Sequence, residues 1–113
     1  MKASESGGPE RDRYDQIAER LVREHMGVVA TKMFGMPSLK ADGKAFGGFS
    51  AGAMVFKLAG EAHARALGLE GAHTFDPSGM GRAMKAWVVV PFAHAGEWEA
   101  LAEAALASVT GGA

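Results

Sequence analysis

Thr31-Lys-Met-Phe-Gly-Met-Pro-Ser-Leu-Lys-Ala-Asp-Gly-Lys-Ala-Phe-Gly-Gly-Phe-Ser50 is the stretch that decides the fold of this chain. Its residues alternate, Asp42-Gly43 is a strong hairpin dipeptide, and Gly47 and Gly48 stand where sheet neighbours must come close. Reading outward, Val28 to Phe34 is apolar and β-branched enough to be a strand. Pro37 has no ladder donor, so a break or an edge is expected there. Ser38 to Ala41 and Lys44 to Ser50 follow as strands, and Ala51-Gly52 is a second tight turn. Ala53 to Leu58 is the fourth strand, with Met54, Phe56 and Leu58 on one face and Val55 and Lys57 on the other.

On the N-terminal side, Tyr14, Ile17, Ala18, Leu21, Val22 and His25 recur at three- and four-residue spacing, which predicts a helix from about Glu10. Gly27 suits a left-handed position just past its end. On the C-terminal side, Gly60 to Leu67 reads as a short helix and 68–82 as an irregular loop. Met84 to Val90 reads as a fifth strand closed by Pro91. A last helix from about Gly96 to Val109 carries the stripe Trp98, Leu101, Ala102, Ala105, Leu106 and Val109. Residues 1–9 are small and polar and are expected to be a disordered tail. Residues 10–110 then form one α+β domain in the order α-β-β-β-β-α-β-α. An antiparallel meander of about five strands is packed by the N- and C-terminal helices. Trp98, Leu101, Leu21, Phe56, Met54 and Val88 are the expected core.

Composition narrows the function classes. The chain has 113 residues, 48% of them apolar and 22% charged, and no cysteine. That suits a single globular domain and excludes disulfides and thiolate metal sites. The N-terminus lacks the apolar stretch of a secretory signal, and no apolar run spans a bilayer, so a cytoplasmic protein is expected. Twelve Lys and Arg against thirteen Asp and Glu leave a net charge of −1, too balanced to concentrate polyanions through a global field.

Met33-Phe34-Gly35, then Leu39, Asp42-Gly43-Lys44 and Phe46, form a pattern that resembles the N-terminal domain of the TfoX/Sxy family. The strands Met54-Val-Phe-Lys-Leu58 and Met84-Lys-Ala-Trp-Val-Val-Val-Pro91 support the resemblance, which spans roughly residues 20–108. MmcQ/YjbR-like domains are the nearest alternative. The resemblance implies an α+β domain with a meander sheet. It also implies a bacterial regulatory module of the kind associated with natural competence, acting without cofactor on a protein partner or as a homodimer.

The residues themselves propose less. Of His25, His63, His73 and His94 no two stand at three- or four-residue helical spacing, and no Glu or Asp completes a known ligand string, so no metal is expected. No serine sits in a nucleophile elbow, and no catalytic set emerges. The loop from His73 to Lys85 gathers an imidazole, Asp76, Ser78, Arg82, Lys85 and flexible glycines. His73, Asp76, Arg82 and Lys85 are therefore the candidate ligand residues for a small anion. The bland alternative is an Asp-Pro-Ser-Gly turn with Arg82 paired to Asp76 or Glu70. Lys32, Lys40, Lys44 and Lys57 would form one basic sheet face near Phe46 and Phe49, a setting for single-stranded nucleic acid. The favoured expectation is a non-enzymatic regulatory or protein-interaction module. Anion binding or catalysis at 73–85 stands second, and nucleic-acid binding third.

Overall fold

The computed structural model describes residues 8–77, 79–81 and 84–110. Helix α1 spans Gly8–Glu24, two residues earlier than the periodicity suggests. Pro9 in the first turn explains this, since its fixed φ and missing N–H suit a helix start. The other elements are strands β1 (Val28–Met33), β2 (Met36–Ala41), β3 (Lys44–Ser50) and β4 (Ala53–Lys57), helix α2 (Gly60–Leu67), strands β5 (His73–Phe75) and β6 (Met84–Val90), a 3₁₀ turn (Phe92–His94) and helix α3 (Ala95–Thr110). The expected tail falls outside the described residues over 1–7.

All strands join one antiparallel sheet in the order β1-β2-β3-β4-β6-β5. The sixth strand is the short β5, inside a segment that reads as irregular loop. Three residues at a sheet edge are too few for alternation to announce them.

Three two-residue turns build the meander. Phe34-Gly35, Asp42-Gly43 and Ala51-Gly52 each place both residues at positive φ, 52° to 53° for the first and 77° to 83° for the glycine. That is the type I′ geometry, whose twist matches the flanking strands. The Met33-Phe34-Gly35 motif is therefore a strand end plus a turn, and Phe34 lies on no strand. Pro37 lies within β2, paired with Lys32. The two-residue turn makes Met33↔Met36 the hydrogen-bonded closing pair, so Pro37 occupies the non-bonded position that follows. Its missing N–H would point toward β3, which pairs with β2 only from Ser38 onward, so the proline interrupts nothing. Gly27 is likewise not left-handed. α1 stops at Glu24, and a Cβ at position 27 would strike the Asp42 carboxylate.

An L-residue in the left-handed region costs about 1–2 kcal/mol unless it is Gly, Asn or Asp. Ala51 bears this strain while exposed to solvent. Ala51→Asn is accordingly expected to raise stability by about 1 kcal/mol, read as a higher urea midpoint. An unchanged midpoint would mean that the turn is not strained.

Alternation divides the sheet into two faces. Tyr14, Ile17 and Leu21 of α1 and Trp98, Leu101 and Ala105 of α3 pack with Leu39, Phe46, Met54, Phe56, Val88 and Val90 on one face. Between Leu39↔Gly47 and Lys40↔Ala45, Phe46 is an extra residue on β3, a bulge whose ring is fully buried in that core. α2 docks beside β6 and α3 and contributes Ala66. Among the described residues no helix covers the second face. Met36, Val55, Phe75 and Trp87 bury one another there, and Val55 reaches 0% exposure. Among the described residues no helix is long and apolar enough to cross a membrane.

Candidate functional site

A concavity opens on the helix-bearing face, between α1 and the outer strands. It is a groove of about 870 Å³. The amphipathic pattern of α1 explains its wall. Tyr14, Ala18 and Leu21 turn inward, which leaves Arg11, Asp15, Glu19, Val22 and Arg23 along the flank. β1 and β2 supply Ala30, Thr31, Lys32, Pro37 and Ser38. Although α1 packs against β1, Val22 stays 41% exposed and Ala30 is also open to solvent.

At the inner end, the rings of Tyr14 and Phe49 meet at 5.5 Å, and the Arg11 guanidinium carbon sits 5.9 Å from each centroid. Arg11 Nε also donates to Asp15 at 2.9 Å. Burial pushes the Tyr14 phenol well above its ordinary pKa, with Arg11 opposing the rise and Asp15 adding to it. Tyr14 therefore stays neutral and offers neither a phenolate nor a base. The groove can hold a ligand by shape, apolar contact and charge, and it presents no nucleophile–base pair.

The segment singled out for chemistry is divided by the structure. His73 and Asp76 line a second groove of about 520 Å³ beside Ser50, Ala53 and Val89. The Asp76 carboxylate accepts from the Gly79 N–H at 3.0 Å and the Gly81 N–H at 2.8 Å, which closes the loop on itself. His73 Nδ1 lies 3.3 Å from the Gly71 carbonyl. Lys85 is exposed at the start of β6, and its carbonyl accepts from His63 Nε2 at 2.7 Å. Arg82 and Ser78 lie outside the described residues.

The lysines do not share a face. Lys32 alternates with Val28 on the helix side, whereas Lys40 and Lys57 alternate with core residues Leu39, Ala41, Phe56 and Leu58 and point to the helix-free side. Lys44 adjoins the Asp42-Gly43 turn. A single basic sheet face is therefore ruled out by the period of two.

A third cluster joins the terminal helices. Arg20 contacts Glu24 at 2.7 Å, Glu99 at 2.6 Å and Glu103 at 2.9 Å, and Arg13 reaches Glu99 at 3.3 Å. Hydrogen bonding, to Glu103 above all, holds the Arg20 guanidinium even more firmly protonated than usual. Glu24, His25 and Glu103 bring potential ligand atoms within 4.8 Å of one another. Arg20 already supplies the counter-charge to both of those carboxylates.

Comparison with models of known families, with curated proteins and with solved structures returns no match. The geometry therefore carries the functional argument alone. The groove beside α1 is absent from the sequence reading because it requires knowing that β1 is the sheet edge. The visible hint is Lys32, a charge in an otherwise apolar strand.

Proposed function

We propose that this chain is a non-enzymatic, regulatory protein-interaction module, in keeping with the TfoX N-terminal resemblance carried by Met33-Phe34-Gly35, Asp42-Gly43 and Phe46. Cytoplasmic residence in a bacterium belongs to the same proposal. The observation that supports it is the 870 Å³ groove running beside β1, which ends the strand order among the described residues. Apolar grooves with a few charges at the rim suit recognition of a partner segment. The anion reading of 73–85 draws less support, because the Asp76 carboxylate already closes its own loop. The nucleic-acid reading loses its platform once the lysines divide between faces.

The proposal is tested by selecting binders from a random heptapeptide display library and mapping them by amide chemical shifts on the ¹⁵N-labelled protein. Enriched peptides that perturb a continuous surface are expected. Failure to enrich any sequence would count against the module, the more so if phosphate raised the melting temperature in an Arg82-dependent way.

A further inference from the structure

The geometry points to a specific ligand for the groove, an inference that rests on the interaction reading above. β1 accepts an extended peptide from a partner protein as a seventh, antiparallel strand. The peptide places an acidic side chain against Lys32 and, two residues later, an apolar one over Ala30.

β1 ends the strand order, and among the described residues nothing pairs with its outer edge. The hairpin geometry fixes which of its groups face outward. The closing pair Met33↔Met36 exchanges both hydrogen bonds, so Lys32↔Pro37 and Ala30↔Leu39 are the non-bonded pairs. The N–H and C=O of Lys32 and Ala30 therefore point away from β2. The far end of the strand agrees, since the Val28 N–H bonds to the His25 carbonyl at 3.1 Å and not to β2. Pro37, with no N–H to give, occupies a position where β1 asks for none.

The side chains of these same two residues line the groove. An incoming antiparallel strand bonded to Lys32 and Ala30 thus directs its own opposed side chains into the groove, because directly opposed residues share a face. Charge then selects those side chains. Arg11 is paired with Asp15, whereas Lys32 and Arg23 have no ion-pair partner among the described residues. Among the described lining residues, Glu19 is the carboxylate left to set against them once Asp15 is paired, which leaves the mouth net positive. Across Ala30 stand Ala18 and the half-open Val22, small enough to leave room for an apolar side chain. Antiparallel direction makes the residue opposite Lys32 precede the one opposite Ala30, so the motif reads acidic-x-apolar from N to C. A second copy of the chain fits less well, because its β1, Val28–Met33, brings another lysine and no carboxylate.

The probe is acetyl-Ser-Thr-Glu-Thr-Val-Thr-amide, titrated into the ¹⁵N-labelled full chain. Saturable shifts confined to β1 and the groove flank of α1 are expected. Exchanging the probe's Glu for Lys, or N-methylating its Glu and Val nitrogens, should weaken binding about tenfold or more. N-methylation of the Thr between them should be tolerated, since that amide faces away from β1. The exposed substitution Lys32→Glu should reverse the preference to the Lys probe. Equal binding of the Glu/Val N-methylated probe, or no binding at millimolar concentration, would overturn strand addition. So would a concentration-dependent dimer abolished by Lys32→Glu, which would make a second copy the occupant. Library peptides that bind on another surface would sink this inference and leave the interaction module standing.

Discussion

Replacing Trp98 with alanine is expected to remove about 3–5 kcal/mol of stability, a large part of what holds a domain of this size together. Trp98 is fully buried where α3 meets the sheet, and its ring meets Phe92 edge-on at 5.7 Å. Its Nε1–H donates at 3.1 Å to the carbonyl of Val90, the residue paired with Met54 at the end of the β4–β6 ladder. Truncation opens a cavity and also removes that hydrogen bond. Trp98→Phe separates the two effects. It keeps most of the apolar volume and should cost about 0.5–1.5 kcal/mol, the net worth of one hydrogen bond. Urea unfolding measures both variants. A Trp98→Ala midpoint equal to the parent's would show that α3 is not docked through this ring.

Gly48→Ala is expected to cost about 1–3 kcal/mol, although it adds one methyl to a strand of ordinary backbone conformation. A Cβ at position 48 would sit 2.8 Å from the Pro37 carbonyl oxygen and 2.9 Å from Met36 Cε. The methionine tip can swing aside, but Pro37 is backbone of the neighbouring strand and cannot move without parting Ser38 from Gly48. Displacing Met36 also disturbs the small cluster with Val55, Phe75 and Trp87. A double-mutant cycle with Met36→Ala divides the cost between the two clashes. If Gly48→Ala melted like the parent, the close approach of β2 and β3 would be wrong.

The sequence disclosed the interior of this fold far better than its edges. Period-two alternation in β4 and the three- and four-residue stripes of α1 and α3 are properties of single elements, so Met54, Phe56, Leu21, Trp98, Leu101 and Val88 could be placed in the core directly, and all are buried. Asp42-Gly43 and Ala51-Gly52 announced their turns because glycine follows a turn-compatible residue. Phe34-Gly35 hid the same turn, since a phenylalanine at φ 53° defies the usual composition. That ring is 64% exposed and leans on Phe75 at 6.5 Å, a long-range contact with no local trace. The buried Ser38 hydroxyl, which lacks a hydrogen-bond partner among the described residues, was equally invisible. The groove depends on three separate facts: β1 is an edge, α1 leaves Val22 and Ala30 uncovered beside it, and Arg11 is already paired. Each follows from tertiary placement and none from spacing.

The type I′ turns also set an order of events in folding. Strands β1 to β4 can pair through two-residue closures, the cheapest loops a chain can make, and hairpins of this kind form in roughly 1–10 μs. The clasp between the terminal helices is the opposite case, because Arg20 meets Glu99 and Glu103 across 79 and 83 residues of chain. The meander is thus placed to form the nucleus and the clasp to close after the barrier. In stopped-flow experiments, Ala51→Asn should then steepen the approach to the native state by raising the folding rate. Arg20→Ala should leave that rate alone and hasten unfolding. The chain would owe its speed to its turns and its persistence to its two ends.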